Sequence, residues 1–240
     1  MSDENSVQHT LAEDIPPRTE VSIARISART AFILMLFCVA FTAVMAATYF
    51  ATKPAIEASA RAEKLKLIDA VLPRSSYDNE LLQDAVTLPP TAALGLDDPT
   101  LVYRARKAGA PVALVLEAAA PDGYSGRIGL LLAVRTDGEL AAIRVTQHKE
   151  TPGLGDYIDP AKDRNKAHPW IGQFNDTGFG KIPESRFKVK KDGGEFAYMT
   201  GATISPRAVT NATRRALQWA VTNQERLFAQ PAGTAYKEQP

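Results

Sequence analysis

One cysteine, Cys38, in a chain of 240 residues leaves no partner for an internal disulfide. It also rules out an iron–sulfur cluster or a cysteine-rich zinc site built by this chain alone. Histidine is nearly as scarce, with only His9, His148 and His168, so no all-protein metal site is expected. Neither sign of charge dominates: 28 basic residues stand against 27 acidic ones, a formal net charge of +1. A nucleic-acid-binding domain usually carries a strongly basic face, so no nucleic-acid partner is expected. No internal repeat is visible. The 45% apolar and 23% charged content is that of a globular chain and excludes collagen-like or wholesale disordered classes.

Charge is missing altogether from one segment. Thr30 to Thr52 holds no Asp, Glu, Lys or Arg over 23 positions, and a bilayer core needs about 20 residues of helix. The run exceeds the apolar region of about 7–15 residues found in a signal peptide. Every face of the helix would be apolar, which predicts an uncleaved transmembrane helix over 30–52. Flanking charges do not orient it: Arg18, Arg25 and Arg29 precede it, and Lys53, Arg61, Lys64 and Lys66 follow. Residues 1–29 read as a cytoplasmic tail, polar and disordered over its first 20 positions. Residues 53–98 read as a helical stalk and linker, with Pro54 in the first turn of a new helix that Pro73 stops.

From about residue 99 the period shortens. Leu101–Tyr103, Val112–Leu116, Ile128–Arg135 and Leu140–Thr146 read as strands, and Thr136-Asp137-Gly138-Glu139 joins the last two as a hairpin. Phe187–Lys190 and Glu195–Tyr198 flank Lys191-Asp192-Gly193-Gly194 as a second hairpin. Residues 206–229 predict a long amphipathic helix with Ser205 as its N-cap and Pro206 at its first position. The fold class is therefore α+β: one transmembrane helix, then a globular domain over 99–240 with an antiparallel sheet and packed helices.

Two segments hold residue types suited to a ligand. Thr146-Gln-His-Lys-Glu-Thr-Pro-Gly-Leu-Gly-Asp156 leaves a strand and turns on two glycines, which let backbone amides approach a bound group. Tyr198-Met-Thr-Gly-Ala-Thr-Ile-Ser-Pro-Arg207 puts hydroxyls at Thr200, Thr203 and Ser205 just ahead of a helix whose N-terminal amides and dipole suit a phosphate. On spacing alone the first also reads as a tight polar turn and the second as a helix cap.

Taken together, His148-Lys-Glu-Thr-Pro-Gly-Leu-Gly-Asp156, the Trp170-Ile-x-x-Phe174 string and Thr200-Gly-Ala-Thr-Ile-Ser205 before a terminal helix resemble the FMN-binding domain of the Rnf electron-transport complex, its G subunit. The C subunit of the sodium-translocating NADH:quinone oxidoreductase is similar. The family acceptor motif reads Asp-x-x-Ser/Thr-Gly-Ala-Thr. Here Ala197 stands in the place of its aspartate, with Glu195 and Asp192 the nearest acids.

The resemblance implies FMN joined covalently to Thr203 through a phosphoester made by a flavin transferase. It also implies that Glu150, Thr151, Gly153, Leu154 and Gly155 lie along the flavin, and that Thr200, Gly201, Ala202 and Ser205 surround its phosphate. Beside the resemblance, Lys149 and Arg207 read as surface cations that could offset phosphate charge, and Tyr157, Trp170 and Phe174 read as core aromatics that could also pack on the ring. No catalytic acid or base and no metal is implied.

The function so implied is a membrane-anchored electron-transfer flavoprotein, one subunit of an enzyme complex coupling electron flow to ion translocation. It would lie in the bacterial inner membrane with its globular domain on the periplasmic side. Its partners would be the other subunits, the transferase and lipid. Two rival readings are a stand-alone periplasmic flavin-dependent reductase and a non-catalytic tethered assembly module.

Overall fold

The computed structural model describes residues 23–236, and the chain divides between Ala60 and Arg61 into two units. The proposed disordered stretch 1–20 lies outside the described residues. The first helix, α1, runs without interruption over Ile23–Asp69, 47 residues. Residues 23–29, expected in the tail, are helical. Pro54 sits inside the helix and does not begin a new one. A proline removes one backbone hydrogen bond, at a cost of about 3 kcal/mol. Here alanines at 46, 47, 51, 55, 58 and 60 favour helix on both sides of it. The most apolar window of α1 has a mean hydropathy of 2.4 and none of it is buried, so the helix is long and apolar enough to cross a membrane. Thr48 and Thr52 donate their hydroxyls to the carbonyls of Val44 (2.8 Å) and Thr48 (2.9 Å), so neither hydroxyl needs water.

The second unit is a six-stranded antiparallel sheet in sequential order: β1 (Ala85–Leu88), β2 (Thr100–Lys107), β3 (Ala110–Gly123), β4 (Gly126–Arg135), β5 (Glu139–Gln147) and β6 (Thr177–Gly178). The sheet therefore starts at Ala85, within the segment 53–98 read as helical stalk and linker. Four residues are too few to show an alternating pattern, and β1 exists through its pairing with β2, Val86 opposite Val102. The β4–β5 hairpin forms as expected. Gly138 takes φ 81°, and the Glu139 amide donates to Asp137 Oδ1 at 2.9 Å.

Both faces of the sheet are covered, which explains the near-continuous apolar runs. Leu114, Leu116, Leu130, Leu132 and Val134 face one core, closed by Val209, Ala212, Ala216 and Ala220 of the long helix α2 (Ile204–Ala229). Side chains one position out of phase, Ala113, Val115, Leu131 and Ala133, face a second core with Ile68, Val71, Leu72, Tyr77 and Leu81. The carbonyls at the end of α2 are met by two arginines: the buried Arg104 donates to Leu227 O (2.8 Å) and to Gln230 O of the C-cap, and the half-buried Arg106 to Phe228 O (3.0 Å). Asp84 holds both guanidinium groups, with Arg104 Nε at 2.6 Å and Arg106 Nε at 2.9 Å.

The second hairpin does not form. Residues 187–198 make a short 3₁₀ turn over Lys190–Asp192 and a single parallel bridge between Val189 and Phe196. Side-chain stacking, and no strand ladder, places this segment: Phe196 lies 4.4 Å from Phe174 and 4.5 Å from Phe187 between ring centroids. Three aromatic rings in mutual contact bury apolar surface beneath a loop whose backbone bonds, such as Lys190 N–H to Phe196 O (2.8 Å) and Phe196 N–H to Lys188 O (3.1 Å), form no ladder.

Candidate functional site

Beyond β5 the chain turns inward at Glu150. This carboxylate is buried, and both its oxygens are engaged. Oε1 accepts the Ser125 amide from the β3–β4 turn at 3.0 Å, and Oε2 accepts the Ser205 hydroxyl from the first turn of α2. Glu150 thus joins three segments distant in sequence, and it does not line the cavity described below. The Thr151 carbonyl then accepts the amides of Leu154 and Gly155, each at 3.1 Å.

The two glycines of this turn serve different ends. Gly153 has φ +75°, the left-handed region that side chains disfavour. Gly155 has no such φ. A Cβ there would collide with Ser205 Oγ and lie 2.9 Å from Glu150 Oε2. The side chain missing at Gly155 is thus demanded by the protein itself, whose Ser205 and Glu150 occupy that space.

The second segment folds as a tight turn. The Ala202 amide donates to the Met199 carbonyl at 3.0 Å, and Gly201 takes φ +88° at the third position, as a type II turn requires. Thr200 is exposed in this turn. Thr203 follows at the N-cap position of α2 and is 9% exposed, but its side chain makes no capping hydrogen bond. Nor is Ser205 the cap: it lies inside the helix, buried, with its hydroxyl committed to Glu150. Sequence position cannot distinguish a capping serine from one drawn off by a buried carboxylate 55 residues away. Pro206 has no amide hydrogen, and the Arg207 amide is donated to the Thr203 carbonyl at 3.1 Å. The first-turn amides of Ile204 and Ser205 have no intrahelical acceptor.

Between the two segments lies a cavity of about 220 Å³. It is lined by Thr151, Leu154, Gly155, Gly201, Ala202, Thr203 and Ser205, together with Tyr124 and Ile204. Glu150, Gly153 and Thr200 are outside the lining. Tyr124 and Ile204 were not picked out in the sequence. Tyr124 sits in the β3–β4 turn, where only the tertiary fold brings it to α2. Three large apolar side chains of this lining are exposed: Tyr124 (66%), Leu154 (51%) and Ile204 (44%). Among described residues 77–236 the only others are Leu101 and Met199, the latter on a separate groove. Such an apolar cluster on the surface of a folded unit marks a binding site.

The residues read as core aromatics, surface cations or structural histidines lie elsewhere, as that reading expects. Arg207 is held in a two-pronged pair with Asp192, Nε to Oδ2 at 2.6 Å and Nη2 to Oδ1 at 2.8 Å. The guanidinium holds the Asp192 carboxyl below its ordinary range, and the Asp192 hydrogen bond raises Arg207 in turn. Arg207 is thus neutralised locally, and neither it nor the exposed Lys149 lines the cavity. Phe174 is fully buried in the core and cannot reach a ligand. Tyr157, Trp170 and His168 line a separate, larger groove of about 760 Å³ that does not include Thr203. That groove is the larger of the two, but only the smaller cavity is lined by Thr203 and the first residues of α2. His148 is half-buried, its Nδ1 accepting the Glu150 amide at 3.2 Å.

The cavity suits the phosphate end of a flavin nucleotide. It offers a hydroxyl free of any capping bond, helix amides for an anion, and an apolar rim for a ring. A family model described as an FMN-binding domain matches residues 123–218, from the β3–β4 turn into α2, and so spans every residue of the cavity. A second, described as the RnfG N-terminal region, matches residues 23–71, which contain α1. Relatives named as the G subunit of an ion-translocating oxidoreductase complex match over most of the chain. The one from Pseudoalteromonas atlantica is 42% identical over 205 residues, 85% of this chain and 93% of the relative. The chain belongs to this G-subunit family. Similar family members are found in Pseudomonas aeruginosa, 41% identical over 201 residues (84% and 92% of the two chains), and Shewanella baltica, 38% over 203 residues (85% and 93%).

Proposed function

We propose that this chain is the membrane-anchored electron-transfer subunit of an ion-translocating oxidoreductase complex and carries FMN joined covalently to Thr203. The carrying observation is Thr203 itself: its hydroxyl makes no capping bond, at the start of α2, and the residue lines a cavity within the FMN-binding domain match. The amides of Ile204 and Ser205 and the dipole of α2 would hold the phosphate without any cationic side chain. Leu154, Tyr124 and Ile204 would flank the ring. At about 220 Å³ the cavity falls below the roughly 300–1,000 Å³ of enclosed small-molecule sites, so the rest of the flavin would rest on this exposed apolar rim. The bound flavin supplies the redox chemistry, and the chain supplies position and electrostatics.

The wider reading follows from the anchor and the family. Residues 30–52 would span the bacterial inner membrane once, and the globular unit would lie on the periplasmic side, where a flavin transferase loads it. The partners would be the other subunits of the complex and lipid around α1, and electron flow through it would be coupled to ion movement.

The test is peptide mass spectrometry of the purified chain, with in-gel flavin fluorescence of Thr203→Val. A flavin mass on the peptide holding Thr203, lost together with fluorescence in a folded Thr203→Val, is expected. Fluorescence persisting in that variant would refute the attachment site.

A further inference from the structure

The strip 197–202, which leads into Thr203, is fastened to the globular unit by side chains more than by a strand ladder. Its hydrogen bond within the strip is the Met199–Ala202 turn. Every other hydrogen bond it makes there comes from the stretch 157–173. The Met199 amide donates to Tyr157 Oη at 2.9 Å, and the same hydroxyl donates to the Ala202 carbonyl at 3.2 Å. Trp170 Nε1 donates to the Ala197 carbonyl at 2.6 Å, and the Ala197 amide donates to Gln173 Oε1 at 2.7 Å. Tyr157 and Trp170 support each other edge to face, with ring centroids 5.7 Å apart at 89°. The Trp170 amide is itself held by the buried Asp163 at 2.6 Å.

The geometry points to Tyr157 and Trp170 as a clamp of positioning residues that holds the 197–202 strip so that Thr203, and not the neighbouring Thr200, presents its hydroxyl at the cavity for flavin attachment. A tyrosine suits this task because one hydroxyl both accepts from and donates to the two ends of a four-residue turn. Burial raises the Tyr157 phenol above its ordinary range, so it keeps the proton it needs to donate.

The inference rests on the proposed attachment at Thr203. In that step the Thr203 oxygen bonds to the phosphorus of FMN, and the hydroxyl proton leaves to solvent. A simple phosphate is a poor acceptor for a hydroxyl in water, so the donor must be an FMN phosphoanhydride, a flavin dinucleotide. Its anhydride P–O bond breaks and the other nucleotide half departs with that oxygen. Nothing is oxidised or reduced. A step of this kind depends on the placement of the attacking oxygen.

The full chain in detergent, a purified flavin transferase and a flavin dinucleotide provide the assay. Tyr157→Phe keeps the ring stack and removes only the hydroxyl. Losing two ordinary hydrogen bonds predicts a fall of about tenfold or more in the saturated rate of attachment, well below the melting temperature. The Met199 amide should lose its protection from hydrogen exchange. Flavin appearing on Thr200 by peptide mass spectrometry would support the clamp further, because a merely structural role would not redirect the chemistry. Trp170→Phe should also slow the saturated rate, and it decides the matter if Tyr157→Phe fails to fold. A saturated rate equal to the wild type in the folded variants, or a change confined to KM, overturns the clamp. Thr203→Val in the same assay separates the two readings: flavin still attached there sinks the attachment site, not the clamp alone.

Discussion

Gly155→Ala measures whether the glycine turn is shaped by the protein or by a bound flavin. The added Cβ would meet Ser205 Oγ below any normal contact, with Glu150 Oε2 at 2.9 Å and Glu150 Cβ at 3.3 Å. Neither neighbour is free to give way. Ser205 is 2% and Glu150 4% exposed, they bond each other, and the Ser125 amide holds the other carboxylate oxygen. Overpacking a site of this kind costs about 1–3 kcal/mol, and a weakened bond to a buried carboxylate adds about 1.5–3 kcal/mol. Partial relaxation trades one cost against the other, so about 2–4 kcal/mol is expected. For a unit of this size each kcal/mol moves Tm by roughly 2–4 °C, which gives a drop of about 4–16 °C. Thermal melts followed by circular dichroism, in the wild type and in a flavin-free Thr203→Val background, should show similar drops. Ser205→Ala combined with Gly155→Ala should cost less than the sum of the two single changes, because it removes the atom that is struck. A drop seen only in the flavin-loaded protein would refute this account and return Gly155 to the cofactor.

Three further outcomes are expected. Asp84→Ala strips the carboxylate from the buried Arg104 and should lower unfolding stability by about 3–5 kcal/mol in urea titrations, whereas an effect below about 1 kcal/mol would mean the Leu227 and Gln230 carbonyls suffice for that arginine. Arg207 depresses the Asp192 pKa, so this pair stabilises the fold above the ordinary Asp range and loses its effect as pH falls through the lowered value. Melts from pH 7 to pH 2 should therefore show a shallower acid decline in Asp192→Asn, and identical slopes would mean the pair contributes nothing to stability. Lastly, a topology reporter joined after Glu57 should be active only outside the cytoplasm, and cytoplasmic activity would reverse the proposed orientation.

Local sequence carried much of the fold. The 23 uncharged positions of 30–52 specified an apolar helix because burial in lipid or exposure to water is a property of composition along one segment. Strands β2 to β5 were legible as short apolar runs bounded by turn residues, and α2 by its 3.6-residue period. The Asp-Gly hairpin was legible because a left-handed φ is a local demand. The FMN-binding match covers both segments that the sequence singled out, 148–156 and 198–207. Apart from the helix at Pro54, what stayed hidden depended on distant partners. Helix α1 continues through Pro54 because flanking turns outweigh one missing bond. Strand β1 needs β2, and 187–198 follows three stacked rings where a hairpin was expected. Ser205 and Glu150 looked like a cap and a ligand contact, yet they are each other's partner across 55 residues. Tyr124 reaches the cavity only because β3 and β4 turn beside α2. A periodic pattern is set by neighbours in the chain and can be read from it. A buried hydrogen bond is set by whichever group the finished fold brings within about 3 Å, and that only the tertiary structure decides.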